Sequence, residues 1–444
     1  MRIRELAERV RHSLWFIPAL AVVIAVVVAL GMLALSDRLD ASGAHLPLIF
    51  GAGPDGARAM LGAIGGSVIT VAGTIFSITI VALQLTSSQF SPRVLRNFLR
   101  DRPNQLVLGV FIGTFTYCLL VLRSIRAEAT DRAAFVPNVA VTGALLLAFL
   151  SIGMLIYFIH HVSVRIQVTS ILASVASDTL HTIETVADWL EDRPERAWRS
   201  AGLLDRVPPA PPTGAIPADR ARVRIAAHHS GYLQFLDIGR LVRAAAEAEG
   251  RLEVLVAPGG WVQRDAPVAT FAGPDDADTE RLGDAVNGAL SLAAERSTQQ
   301  DVAFGIQQIV DIGAKALSPG VNDPTTAINA LDRLLQILVA AGVAQDPPQA
   351  FADADGVTRL DVPMPGLHEL VELALDQLRH YGASTPAVAL HMARVLSQLR
   401  DAVGERAAPA IRRQADLLVE AAARIPLASE RAAIMAAVAP LRSA

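Results

Sequence analysis

Four apolar stretches precede residue 162, at about residues 14–35, 60–86, 106–122 and 136–159. A helix needs about 20 mostly apolar residues to cross the roughly 30 Å of a bilayer's hydrocarbon. Only helices and closed barrels satisfy their backbone there, so these runs predict a block of four transmembrane helices over residues 1–162. Trp15 and Phe16 stand where the first run begins, as interfacial anchors do. That run exceeds the 7–15 apolar residues of a secretory signal and reads as a retained anchor.

The remainder is more polar. Across the chain 52% of residues are hydrophobic and 18% charged, against about 25% charged in ordinary soluble proteins, and the excess apolarity sits before residue 162. Residues 163–217 read as a helical extension followed by a linker, because P-P-A-P-P-T-G within 208–217 cannot be helical. Residues 218–275 read as a small α/β unit and residues 276–444 as a mainly helical domain. The expected fold class is therefore an α-helical membrane protein with four transmembrane helices and a mainly helical α+β cytoplasmic domain.

The net charge of −4 and the lack of a basic, aromatic-studded stripe exclude a nucleic-acid partner. The one cysteine, Cys118, lies in an apolar run and reads as a small buried residue. Neither a metal-binding cluster nor a phosphate-binding loop or catalytic motif is recognisable, so no metal, cofactor or enzymatic activity is expected. A hairpin over residues 257–268 looks like those of lipoyl carriers, but it contains no lysine to modify.

Arginine placement orients the spans. Arg2, Arg4, Arg9 and Arg11 precede the first, and Arg93, Arg96, Arg100 and Arg102 follow the second. The positive-inside rule then puts both termini in the cytoplasm of a bacterial inner membrane.

The second span carries the strongest functional signal. Ser67, Thr70, Thr74, Ser77, Gln84 and Ser88 recur at heptad spacing, interrupted only by Val81, and share one helical face. Beside them Val68, Val71, Ile75 and Ile78 form an apolar stripe. Polar residues in a span face protein or water. Either its Ser and Thr bond back to their own helix or to neighbouring helices, with small residues allowing close packing, or the face lines a passage between several copies. Gly62 with Gly66, and Gly109 with Gly113, form two Gly-xxx-Gly pairs that allow close helix approach, within or between chains. No mid-span carboxylate, lysine or arginine is present, which argues against a proton- or sodium-coupled pump. Arg93, Arg96 and Arg100 share a helical face just past this span. They read as headgroup contacts or as a ring at a pore mouth, which would favour anions.

A second polar constellation lies at residues 308–326. Gln308, Asp311 and Lys315, the chain's one lysine, share a helix face, with Asp311 placed to pair with Lys315. Asn322 or Asp323 caps a following helix that opens with Pro324. The segment is either a capped interhelical turn or a site for a ligand or neighbouring subunit.

Three segments together carry a resemblance: G-T-I-F-S-I-T-I-V-A-L-Q-L-T-S-S-Q-F-S-P-R-V-L-R-N-F at 73–98, G-Y-L-Q-F-L-D at 231–237, and D-I-G-A-K-A-L-S-P-G-V-N-D-P-T-T-A at 311–327. The chain resembles a bacterial family of predicted membrane proteins, domain-of-unknown-function family 2254. The resemblance implies an inner-membrane protein of this architecture and brings no catalytic residues or cofactor. The leading expectation is a homo-oligomeric, channel-like conduit lined by the second span, with a cytoplasmic gating or assembly domain. The alternative is a membrane-anchored sensor or scaffold acting through residues 311–326.

Overall fold

A computed structural model describes residues 16–42, 53–89, 102–126, 135–165, 167–187, 221–344 and 346–442. The chain divides into two compact units, residues 1–170 and 171–444. In the first, four long apolar helices coincide with the four expected runs: α1 (Phe16–Ser42), α2 (Pro54–Gln89), α3 (Arg102–Ser124) and α4 (Asn138–Arg165). Each holds a stretch long and apolar enough to cross a membrane.

Helix α3 is the hub. Half of its span (50%) is buried, against 11% for α1 and 22% each for α2 and α4. Small residues let the other helices approach it. A Cβ on Gly109 would lie 3.0 Å from Ala21 Cβ, and one on Gly113 would lie 3.4 Å from the Ala21 carbonyl oxygen. The α3 glycine pair thus seats α1 inside the subunit. On another side Gly65 of α2 faces Cys118 and Phe115. Tyr117 crosses to α4, where its hydroxyl donates to the Ala140 carbonyl at 2.8 Å. Gly143 makes room for that hydroxyl. Buried Thr114 and Ser151 add a hydrogen bond of 3.2 Å between α3 and α4. With no water in hydrocarbon to compete, such polar contacts join helices that apolar packing alone would leave loosely specified.

Helix α4 does not run on unbroken into the second unit. It ends at Arg165, and α5 (Val168–Ala187) begins beyond a break at Gln167. In the second unit, residues from Ile171 onward are built into the core. Thr179 is fully buried against Gly305, and Thr182 donates to the Thr298 carbonyl at 2.6 Å.

Eight strands follow, interleaved with helices. They are β1 (Ala221–Ala226), β2 (Gly231–Leu236), β3 (Arg251–Val254), β4 (Trp261–Val262), β5 (Pro267–Gly273), β6 (Leu290–Ala293), β7 (Ala350–Ala352) and β8 (Thr358–Asp361). They form a five-stranded sheet, β1-β5-β3-β8-β7, and a three-stranded sheet, β4-β2-β6. All pairings are antiparallel except β3 with β8. Helices α6 (Ile238–Glu247) and α7 (Thr279–Ala289) complete a core centred on Leu233, Leu241, Leu252, Phe271, Val286 and Leu360. Asp237 and Asp278 cap these helices through the amides of Arg240 and Arg281. His228 and His229 occupy the bend between β1 and β2.

The helical part comprises α8 (Val302–Ala316), α9 (Pro324–Val343), α10 (Leu367–Gly382), α11 (Pro386–Val403), α12 (Ala408–Ala422) and α13 (Ala428–Arg442). By length and composition α9 is a fifth candidate span. Its burial is one-sided: Ala327, Ala330, Leu331, Leu334, Ile337 and Leu338 are buried, while Asp332 is half-exposed and bonded to His391 at 2.6 Å. That amphipathic pattern, with Asp332 and Arg333 at mid-helix, is that of a helix packed on one side against a protein core.

The glycines give a test. Gly113→Leu forces a bulky side chain into the α1–α3 contact and is expected to cost about 1–3 kcal/mol. Gly62→Leu, which meets open space within the single chain, is expected to leave the packing of α1, α3 and α4 within about 0.5 kcal/mol while disturbing any contact between copies on that side. Thermal unfolding of the two variants in detergent separates them.

Candidate functional site

The polar face of α2 points away from its own subunit. Ser67, Thr70, Thr74, Ser77 and Gln84 are all exposed, while Val68, Ala72 and Ile75 are buried against α3 and α4 residues such as Val107, Phe111 and Phe158. The hydroxyls are not packed against the other described helices, while Thr70 and Thr74 bond back to their own helix, as one of the two readings from sequence has it. The side chain of Ser88 lies outside the described residues, as do Arg93, Arg96 and Arg100.

The outward surface of α2 is also open. Nothing lies within 4 Å of where a Cβ would stand on Gly62, Gly66 or Gly73. The two Gly-xxx-Gly pairs, alike in sequence, therefore differ in use: 109 and 113 seat α1, whereas 62 and 66 are free to meet something else. Thr70 donates its hydroxyl hydrogen to the Gly66 carbonyl at 2.8 Å, and Thr74 to the Thr70 carbonyl at 3.2 Å. Each hydroxyl thus bonds back to its own helix, which lowers the cost of placing it in a membrane.

The outer faces of the neighbouring helices are different. Helix α1 exposes Leu20, Val23, Ile24 and Val27, and α4 exposes Leu146, Phe149, Ile152 and Ile156. These faces match lipid tails. Among the described spans, the extended polar surface belongs to α2, with exposed Phe76, Ile80 and Val81 flanking it.

In the second constellation, Asp323 forms a helix cap. Asp323 is the N-cap of α9: its Oδ1 accepts from the Thr326 amide at 3.1 Å and its Oδ2 from the Thr326 hydroxyl at 2.6 Å. Pro324 occupies the first turn. Asn322 holds a left-handed φ of 49°, which tightens the turn after Ser318; asparagine tolerates this region better than most residues. Gln308 is buried, Asp311 is half-buried, and Lys315 is exposed. In place of the expected Asp311–Lys315 ion pair, the carboxylate of Asp311 accepts from Gln307 Nε2 at 2.8 Å. The described cavities of this unit lie elsewhere. One of about 50 Å³ is lined by Ile183, Pro258, Asp301 and Leu370, among others. Another, of about 350 Å³, includes Glu247, Asp276 and Arg281.

A buried ionic knot near the smaller cavity had no clear counterpart in the sequence reading. Asp301, fully buried, caps α8 through the Phe304 amide at 2.9 Å. It receives a two-pronged contact from Arg296, at 2.9 and 3.0 Å. Burial raises the Asp301 pKa, and Arg296 and the Phe304 amide oppose that rise. Gly259, at φ 85°, leaves the space that the carboxylate fills. The neighbouring Gln300 bonds both the amide and the carbonyl of Leu236. The only sequence signal was an aspartate one position before an apolar helix.

The bond from the Thr326 hydroxyl, then that from its amide, holds the Asp323 carboxyl below its ordinary range. A depressed folded-state pKa stabilises above the unfolded value, and the contribution disappears as pH falls through the folded value. Asp323→Ala is expected to cost about 0.5–2 kcal/mol through loss of the cap. Asp323→Asn should keep most of the cap and lose its acid sensitivity. Hydrogen exchange at the Thr326 amide checks both.

A family model described as "Predicted membrane protein (DUF2254)" matches residues 11–398. Uncharacterized proteins of Mycobacterium tuberculosis and Mycobacterium bovis are each 33% identical to this chain over 451 residues. Those alignments cover 99% of this chain and 82% of each relative. No solved structure matches. With four long apolar helices and a family match over most of its length, the chain is a multi-pass membrane protein and belongs to the DUF2254 family of predicted membrane proteins.

Proposed function

We propose that this protein is a homo-oligomeric, channel-like conduit of the bacterial inner membrane, in which copies of α2 surround a polar passage. The observation that carries the reading is the exposed, outward direction of Ser67, Thr70, Thr74 and Ser77, of which Thr70 and Thr74 bond only back to their own helix. A hydroxyl face turned to lipid tails leaves oxygen lone pairs without donors, whereas one turned to a shared axis meets water. The open glycines 62, 66 and 73 let neighbouring copies approach closely on the same side.

The length of the lining suits a passage. From Ser67 to Gln84 the helix rises about 25 Å, most of the roughly 30 Å of hydrocarbon. The absence of charged residues between Arg58 and Arg93 fits a passive route better than a coupled pump. The arginine-rich segments favour a cytoplasmic location for the second unit, which would assemble or gate the helices. A sensor or scaffold acting through residues 311–326 is less well supported, because Asp323 is engaged as a cap and Gln308 is buried. The same two facts weigh against an enzyme built on this turn.

Flux through liposomes containing the purified protein tests the reading. The combined change Thr74→Val, Ser77→Ala and Gln84→Leu is expected to abolish flux with helical content and elution volume unchanged. Asp323→Ala should leave flux through an open conduit intact. A wild-type protein that incorporates and assembles but conducts no more than empty liposomes would contradict the proposal.

A further inference from the structure

We infer that the passage selects monovalent cations over anions, an inference that rests on the conduit reading. It follows from the direction of the hydroxyl hydrogens. Thr70 and Thr74 each commit their one hydroxyl hydrogen to a carbonyl four residues earlier, at 2.8 and 3.2 Å. A hydroxyl has one donor hydrogen and two acceptor lone pairs. Once the hydrogen is bonded inward, the outward side of the oxygen can only accept.

The O–H donors nearest these two residues on the described face are the hydroxyls of Ser67 and Ser77, one on each side. Gly62, Gly66 and Gly73 present no side-chain donor, and their amides serve the helix. Ile80 and Val81 are apolar, and no lysine or arginine lies between Arg58 and Arg93. An anion beside Thr70 and Thr74 would lose water and face lone pairs. A cation there exchanges water oxygens for protein oxygens, the principle by which carbonyl-lined filters conduct. The oxygens carry no formal charge, which sets the valence. Divalent cations are held by carboxylates and part with water reluctantly, so uncharged hydroxyls suit a monovalent ion.

Ser77 and Gln84 lie on the same exposed face. Gln84 is the one lining side chain with N–H donors, and it stands toward one end. The threonines at mid-helix therefore dominate selectivity. Isosteric Thr70→Val and Thr74→Val remove the acceptors and keep the shape. Thr→Ser at both positions keeps the acceptor and the inward bond, so it separates loss of the oxygen from loss of fold.

The reversal potential of the full-length protein in a planar bilayer under a potassium chloride gradient tests this. The expected result is a potential on the potassium side of zero. The double valine variant should lower potassium current by about tenfold, the equivalent of about 1.4 kcal/mol, and the double serine variant should retain it. A reversal potential on the chloride side overturns the selectivity and leaves the conduit standing. Equal current in the valine and wild-type proteins also overturns it. No current from an assembled oligomer overturns the conduit reading itself.

Discussion

Hydrocarbon supplies no hydrogen bonds, and the membrane unit is organised by that constraint. Every span is a helix because only a helix closes its own backbone there. The polar side chains that remain must then find partners or water. Tyr117 finds the Ala140 carbonyl, and Thr114 finds Ser151. Thr70 and Thr74 find only the carbonyls of their own helix, so each oxygen keeps an unused side. The hub position of α3 follows from the same logic. It carries the glycines that admit α1 and the tyrosine that reaches α4, which leaves α2 attached along its apolar face with its hydroxyls outward.

The second unit is held by different means. Apolar burial drives its folding. Its fixed points are caps and a buried ion pair. Asp237, Asp278, Asp301 and Asp323 each accept from an amide in the first turn of the following helix. Asp301 adds the Arg296 contact, and Gln300 ties the start of α8 to β2. Removing one partner from such a buried pair strands a charge and costs several kcal/mol as a rule.

The spans and the α2 heptad were legible in the sequence because span length and helical period are strong, local signals. The direction of the polar face was not, since a hydroxyl stripe reads the same whether it faces a neighbour helix, lipid or a second copy. The two glycine pairs show why: the pattern encodes close approach, and only the fold reveals that 109 and 113 already have a partner. Strands β6 and β7 escaped notice because they are four and three residues long, and β6 follows α7 without a turn residue between them. The Asp311–Lys315 pair was a sound helical expectation that Gln307 displaced. The N-cap at Asp323 was legible down to its two alternatives, because proline in the first helical turn fixes the register.

The central claim is that α2 meets copies of itself around an axis. Single-particle imaging of the purified protein in lipid nanodiscs tests it most directly. The account predicts a closed ring with Ser67, Thr70, Thr74 and Ser77 facing a water-filled centre, and with the Leu20 and Leu146 faces toward lipid. A monomer, or an assembly in which those hydroxyls lie against lipid while other faces form the contact, would contradict it.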